Sequence, residues 1–246
     1  MSPEKKNKRQ RIKEKNQQQQ RNRIIMIVMM VVGAALFVYA FLSSTIQSVG
    51  EIVVPELHDL SNANGLALGD PNAPVTIDIF EDFQCSACKY FTETIEPLVI
   101  EYFVDTGKAR LVFHHYPFLD GDGAFNGGNS DQAANATMCA SEQNRFWDMQ
   151  AVIFANLTGE HSGNFSDQRL KAMAEAIDLD TDAFNTCFDS NKYRDQIQAD
   201  FEYGQELGVL GTPVVYVNRE KVGEPGKIPT FQEIAVAVDA IVNAAE

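Results

Sequence analysis

The stretch VTIDIFEDFQCSAC, residues 75–88, runs from β-branched and apolar residues into two cysteines that lie three positions apart. Residues 75–80 have the composition of a buried strand, and residues 85–104 carry apolar side chains at helical spacing. The strand is therefore predicted to pass into a helix at Cys85. Two cysteines at i and i+3 of a helix start lie on one side of its first turn, close enough to form a small disulfide ring.

A thiol pair at this junction predicts disulfide exchange. The free N–H groups and positive dipole end of a helix N-terminus stabilise a thiolate on the first cysteine. Cys85 is therefore predicted to be the exposed nucleophile, and Cys88 the buried thiol that resolves the mixed disulfide. This chemistry needs no cofactor and no metal.

Three other uses of the pair remain open. Half a zinc site would need a second pair of ligands, and neither Cys139 nor Cys187 has a partner at metal-ligand spacing. A structural disulfide across two residues gains little loop entropy. A copper site could use His114 or His115 as a third ligand.

The N-terminus predicts a membrane anchor. Residues 24–42 are 19 uncharged, mostly apolar residues, which is about the length needed to cross a bilayer core of roughly 30 Å. Residues 1–23 carry nine Lys or Arg against two Glu, and the positive-inside rule keeps such a tail in the cytoplasm. The alternative is a cleaved signal peptide, but its apolar region is usually shorter. Either arrangement exports the rest of the chain.

The exported part is strongly acidic. From Ser43 onward the chain has 11 basic and 32 acidic residues, a net charge of −21. Such a charge repels nucleic acid, so binding to DNA or RNA is not expected.

The rest of the chain predicts an α/β domain with a long helical stretch. Residues 43–67 have the composition of a linker, and residues 1–23 of a disordered tail or fraying helix. The further predicted elements are a strand at 109–114, helices at 131–157, 167–177, 181–189 and 193–207, strands at 214–218 and near 222, and a helix at 230–245.

Several of these segments together resemble the DsbA-like thioredoxin-fold oxidoreductases. The resemblance rests on LGDPNAPVTI at 68–77, EDFQCSAC at 81–88, CASEQ with FW at 139–147, and GVLGTP at 208–213. It implies a domain over residues 68–246, in which a thioredoxin fold is interrupted by a helical insertion at about 124–207. It also implies that Thr212 and a cis Pro213 lie beside the thiol pair and bind an extended substrate strand.

The sequence departs from that family beside the thiols. Many members carry an acidic residue six positions before the first cysteine, where this chain has Ile79. The nearest acids are Asp78, Glu81 and Asp82, and strand alternation turns Asp78 away from the Ile79 side. The dipeptide between the cysteines is Ser-Ala, without the histidine of strongly oxidising members. We therefore predict a Cys85 pKa below the usual value of about 8.5 but well above about 3.5.

The two distant cysteines, Cys139 and Cys187, are expected to form a structural disulfide. They are exported, where disulfides persist, and the resemblance supports a bridge within the insertion. A second redox pair that relays electrons to the first is the alternative.

Two further motifs have ordinary explanations. The run DGDG at 120–123 is similar to a calcium loop, but Ala124 occupies a ligand position, so a flexible turn is expected. Asn135, Asn156 and Asn164 begin N-x-Ser/Thr triplets, which occur often by chance.

Together these observations predict an extracytoplasmic, membrane-anchored thiol–disulfide oxidoreductase. Its expected role is to introduce disulfides into exported proteins that carry free thiols. A quinone-linked membrane protein of the DsbB or vitamin K epoxide reductase-like type would reoxidise it. There are three alternatives: a reductase or isomerase that uses the same residues, a copper-binding metallochaperone, and a chaperone with a vestigial thiol pair.

Overall fold

The computed structural model describes residues 3–45, 49–57, 62–121 and 127–245. The chain divides into two compact units, Met1–Ser48 and Val49–Glu246.

The first unit contains one long helix, α1 (Pro3–Thr45). Within it, Gln18–Val38 has a mean hydropathy of 1.8 over 21 residues, and none of this segment is buried. By length and composition it is the one helix of the described chain that could cross a membrane, and it overlaps the predicted anchor at 24–42. The basic tail is helical from Pro3 onward, because its Lys, Arg and Gln residues are good helix formers.

The second unit is a mixed α/β domain, as the sequence predicted. Its strands are β1 (Ala63–Asn64), β2 (Ala67–Leu68), β3 (Val75–Glu81), β4 (Ala109–His115), β5 (Val214–Val217) and β6 (Glu220–Val222). Its α-helices are α2 (Ser86–Thr94), α3 (Glu96–Val99), α4 (Asn129–Ser141), α5 (Phe146–Ala155), α6 (Asp167–Ala176), α7 (Thr181–Asp189), α8 (Arg194–Glu206) and α9 (Phe231–Ala245).

The strands form one sheet in the order β1-β2-β4-β3-β5-β6, with β3 near its centre. β3 pairs in parallel with β4 and antiparallel with β5, so that Ile79 lies between Phe113 and Val215. All three side chains are fully buried or nearly so. This central strand fixes the position of the cysteines that follow it.

The predicted helix at 85–104 is one segment in sequence but three in the structure. α2 ends at Thr94, α3 begins at Glu96, and a π-helical turn covers Ile100–Val104. Pro97 explains the break, because it lacks the N–H of a continuing helix and its ring collides with the preceding turn.

The predicted helix at 131–157 is likewise divided, into α4 and α5. Asn144 lies between them with a φ of 56°, in the left-handed region that ends a helix and that asparagine tolerates. A disulfide with a Cα–Cα distance of 5.8 Å joins Cys139 on α4 to Cys187 on α7. The helical stretch is thus covalently closed between its first and fourth helices.

The predicted linker at 43–67 is partly built into the domain. Its end supplies the short strands β1 and β2, of which β2 pairs with β4. Earlier in the same segment, the Val53 N–H donates to Asn156 Oδ1 at 3.0 Å, and Asn156 Nδ2 donates to the Val53 carbonyl at 2.7 Å. Composition could not reveal these contacts, because they join residues about a hundred positions apart, and it therefore predicted a linker.

Parts of three predictions lie outside the described residues. These are residues 46–48 and 58–61 of the predicted linker, and residues 122–126, which contain the second half of the calcium-like run and the predicted start of the insertion at 124.

Candidate active site

Cys85 and Cys88 lie where β3 ends and α2 begins. A turn in which the Cys85 N–H donates to the Asp82 carbonyl at 3.0 Å connects the two elements. Cys85 is the N-cap residue, with extended backbone, and α2 starts at Ser86. Both cysteines are free thiols and both are buried, Cys85 with 5% of its surface exposed and Cys88 with none. The prediction that Cys85 is exposed is therefore wrong for this structure, because Thr212 lies against its sulfur.

The surroundings of Cys85 stabilise its thiolate. A hydrogen bond from the Cys88 thiol contributes most, and the backbone N–H groups of Cys88 and Ala87 add to it. Against the opposing effect of burial, these contacts lower the pKa of Cys85 from 9.0 to about 6. This value lies within the interval that the sequence predicted.

Cys88 has the opposite chemistry. Burial, the hydrogen bond to Cys85 and the negative charge of Glu81 raise the pKa of the Cys88 thiol well above its ordinary value. One sulfur of the pair is therefore a thiolate near neutral pH while the other keeps its proton.

The loop before β5 lies against the first cysteine. The Thr212–Pro213 bond is cis, and Cys85 Sγ donates to the Thr212 carbonyl at 3.5 Å. The structure therefore brings together residues 127 positions apart.

A groove of about 730 Å³ opens beside Cys85. Thr212 and Pro213 form one part of it, and β6 with the following loop forms another. Leu210 stands on its margin with 92% of its surface exposed, and Lys221 and Lys227 are charged groups of its lining. Glu160 and Glu224 line it as well, so the groove presents apolar surface and charges of both signs next to the reactive sulfur.

The acids near the thiols divide among different roles. Asp78 contacts His114, with Asp78 Oδ1 and His114 Nε2 2.9 Å apart, so it faces away from the cysteines, as strand alternation predicted. Glu81 lies on the same face of β3 as Ile79, two residues on, and is buried. Burial and the charge of Glu96 raise the pKa of Glu81 well above its ordinary value. Sequence reasoning did not assign Glu81 a role and missed Glu96 entirely.

Asp82 organises the loop around the thiols. It accepts hydrogen bonds from Ser130 Oγ at 2.6 Å, from the Gln84 N–H at 2.8 Å and from the Leu119 N–H at 2.9 Å. Burial raises its pKa to about 7, although these bonds favour the charged form. Asp82 thereby ties the strand–helix junction to the start of α4.

The two histidines considered as copper ligands are used otherwise. Despite burial, the carboxylates of Asp200, 3.6 Å from Nδ1, and Asp78, which is hydrogen-bonded to Nε2, raise the pKa of His114 to about 9. His115 packs among the rings of Phe83, Phe113 and Phe146, and burial lowers its pKa to about 4. Within the described ranges, no three His, Cys, Asp or Glu side chains form a group that could hold a metal ion.

The fold and the asymmetric thiol pair define a thiol–disulfide oxidoreductase of the thioredoxin fold, similar to DsbA. The chain belongs to the thioredoxin family Thioredoxin_4, whose model matches residues 61–237.

Individual relatives agree with this assignment. A probable disulfide bond formation protein D of Bacillus anthracis is 27% identical over 175 residues, which are 70% of this chain and 76% of that protein. The crystal structure of Chlamydia trachomatis DsbA matches with a TM-score of 0.59 and 26% identity, over 77% of this chain and 98% of that one. Oxidised BdbD of Bacillus subtilis matches with a TM-score of 0.62 and 22% identity, over 79% and 100%, and so shows the shared fold.

Proposed function

We propose that the chain is a membrane-anchored oxidase that introduces disulfides into exported proteins through Cys85 and Cys88. The observation that carries the proposal is the pKa of Cys85, lowered to about 6. A stabilised thiolate favours the reduced pair over its disulfide, which makes the disulfide a stronger oxidant. The same stabilisation makes Cys85 a good leaving group.

The reaction proceeds through two exchanges. A substrate thiolate attacks Cys85 Sγ of the oxidised pair, the Cys85–Cys88 bond breaks, and Cys88 leaves with the electron pair and takes up a proton. A second substrate thiolate then attacks the substrate sulfur of the mixed disulfide and releases the Cys85 thiolate. The substrate is oxidised by two electrons and the pair is reduced by two.

Thr212 and Pro213 serve in substrate binding, because they line the groove next to Cys85. Of the two thiols, Cys85 belongs to the described lining of the groove and Cys88 does not. An extended substrate segment bound in the groove would therefore place its cysteine at Cys85. The Cys139–Cys187 bridge has a structural role in the helical region.

The helix that contains Gln18–Val38 would hold the domain at the membrane, with the basic tail in the cytoplasm and the thiol pair outside. A membrane protein of the DsbB or vitamin K epoxide reductase-like type, linked to quinone, would return the pair to the disulfide. Anchoring would keep the domain near both this partner and newly exported chains.

The reduction potential of the Cys85–Cys88 pair tests the direction of electron flow. Equilibration with glutathione buffers, followed by alkylation and mass measurement, should give a potential nearer about −120 mV than about −270 mV. The oxidised protein should also form disulfides in a reduced, unfolded protein, and the C85A variant should not. A potential near about −270 mV with efficient reduction of insulin would instead establish a reductase.

A further inference from the structure

The loop between α5 and α6 brings a carboxylate to the reactive end of α2. Glu160 Oε1 accepts a hydrogen bond from the Ser86 N–H at 3.4 Å, and this N–H directly follows Cys85 in the chain. Glu160 also belongs to the lining of the groove that contains Cys85. The carboxylate therefore lies beside the reactive sulfur, on a segment of the helical region rather than of the sheet.

Two hydrogen bonds hold this loop near α2. Lys89 Nζ, one turn into α2, donates to the carbonyl of Phe154 near the end of α5 at 2.6 Å. Asn164 Nδ2 donates to Thr158 Oγ1 at 2.7 Å and so joins the two sides of the loop. Glu160 lies between Thr158 and Asn164 in the chain, and its position beside α2 is therefore set by the fold of the loop.

The charge of Glu160 has no counter-ion in the part of the chain that the structure describes. Lys89, the cation of the neighbouring helix turn, forms an ion pair with Glu93 at 2.6 Å. Two further charges of the groove compensate each other, because Lys227 Nζ lies 2.5 Å from Glu224 Oε2. Glu160 is exposed, so its carboxylate is accessible to a bound substrate.

The other unpaired charge of the groove lies farther from the thiol. Lys221 is opposite Tyr216 in the register of β5 and β6. Tyr216 follows Pro213 by three residues, which is about 10 Å along an extended strand. Of the unpaired charges that line the groove, Glu160 is therefore the one that neighbours Cys85.

We propose that Glu160 is a specificity-determining residue, which favours substrate cysteines that have lysine or arginine as a direct neighbour and disfavours those with an acidic neighbour. This selection rests on the proposed exchange at Cys85 in the groove, and it holds for either direction of electron flow. Glu160 contacts the flanking residue of the substrate and takes no part in the exchange of sulfur bonds.

Charge complementarity gives the physical reason. When the substrate cysteine reaches Cys85, a basic neighbour forms an ion pair with Glu160, and an acidic neighbour meets a like charge. The carboxylate is exposed, so the effect is that of a surface ion pair, which changes a rate constant by up to about fivefold.

Matched single-cysteine peptides test this selection. Each is activated as a thionitrobenzoate mixed disulfide, and its reaction with the reduced protein is followed at pH 7 and low ionic strength. One set carries Lys, Gln or Glu immediately before the cysteine, and a second set carries them immediately after it. In at least one set, the ratio of the Lys to the Glu rate constant should be about fivefold higher in wild type than in Glu160→Gln.

This comparison isolates the charge of Glu160. The glutamine still offers an acceptor to the Ser86 N–H, and the intrinsic reactivity of each peptide cancels between the two proteins. Any change in the pKa of Cys85 cancels as well, because the same thiolate attacks both peptides.

Three controls complete the test. Glu160→Lys should invert the preference, and about 0.5 M NaCl should bring the wild-type ratio close to that of Glu160→Gln, because salt screens exposed charges. Glu175→Gln removes an exposed acid of α6 outside the described groove lining and should keep the wild-type ratio.

Equal ratios in wild type and Glu160→Gln for both peptide sets would overturn the selection, as would an equal shift in Glu175→Gln. A failure of the proposed function would look different. If wild type did not react with the Gln peptides, the exchange at Cys85 would itself be wrong, and the selection with it. A low reduction potential would reverse the direction of electron flow and leave the charge preference in place.

Discussion

At the scale of single residues, the two sulfurs differ because each shapes the environment of the other. The Cys88 thiol donates to Cys85 and lowers the pKa of Cys85, while the same hydrogen bond and burial raise the pKa of Cys88. The sequence predicted the direction for Cys85 from the helix N-terminus. The size of the Cys88 contribution depends on side-chain geometry and could not be predicted from spacing.

Replacing Cys88 by Ala should raise the pKa of Cys85, because the largest stabilising hydrogen bond is lost. In the reduced wild-type protein, the rate of alkylation by iodoacetamide should rise with a midpoint near pH 6, the pKa of Cys85. In C88A the midpoint should lie clearly higher. The double variant C139A/C187A, which leaves α2 intact, serves as the control and should keep the wild-type midpoint. An unchanged midpoint in C88A would contradict this explanation.

His115 should make the domain sensitive to acid. Its neutral ring is buried among aromatic side chains, and its pKa falls from 6.5 to about 4 on folding. The unfolded chain therefore takes up a proton near pH 6.5 that the folded chain refuses, so this contribution to stability is lost as the pH falls from 6.5 toward 4. His115→Phe should reduce the difference in unfolding free energy between pH 7.5 and pH 4.5, measured by urea denaturation. His161 is exposed, so His161→Gln should leave that difference as in wild type. The same free-energy difference in all three proteins would rule out His115 as its source.

At the scale of elements, the types of strands and helices followed from local patterns, and their interruptions followed from single residues. The sequence predicted helices across Pro97 and Asn144 because the apolar spacing continues through both positions. Pro97 is itself a sequence signal for a break and was overlooked, whereas the left-handed backbone at Asn144 appears only once the chain is folded. The short strands β1 and β2 were missed because two residues carry no periodicity, and their pairing with each other and with β4 defines them.

Removing the bridge between α4 and α7 should cost stability without abolishing exchange. Cys139 and Cys187 are 48 residues apart, and closing such a loop contributes about 4 kcal/mol in the chain-entropy model. The variant C139A/C187A should therefore lower the unfolding free energy by up to about 4 kcal/mol. Its rate of disulfide exchange at Cys85 should stay near wild type. A loss of exchange in a variant that is still folded would favour the alternative of a second redox pair.

The segment at 49–57 should loosen when Asn156 is changed. Asn156 makes two hydrogen bonds to the backbone of Val53, and Arg169 Nη2 donates to the Glu51 carbonyl at 3.3 Å. Asn156→Ala should speed amide hydrogen exchange at Val53 by at least about tenfold, the equivalent of one hydrogen bond of about 1.4 kcal/mol. Asn164→Ala, in another N-x-Ser/Thr triplet, should leave it unchanged. Equal exchange in both variants would show that Asn156 does not hold this segment.

At the scale of the whole molecule, the sequence predicted more of the chemistry than of its surroundings. The thiol pair and Thr212–Pro213 could be assigned because each stands in a recognisable motif. Glu81 and Glu96 could not be assigned a role, because neither stands in a recognisable motif. Nothing in the sequence shows that these two acids, one in a strand and one in a helix, are buried. Glu81 accepts a hydrogen bond from Thr92 and Glu96 accepts one from Gln150, and these contacts form only in the folded domain.

The account depends above all on Cys85 being the sulfur that meets the substrate. The most direct test gives the reduced protein a single-cysteine substrate activated as a thionitrobenzoate mixed disulfide, at pH 6.5. C88A should form a stable one-to-one complex through Cys85, and wild type should release the substrate as Cys88 resolves the complex. C85A should form none, because Cys88 is buried and protonated. A complex that forms as fast in C85A as in C88A would contradict the account.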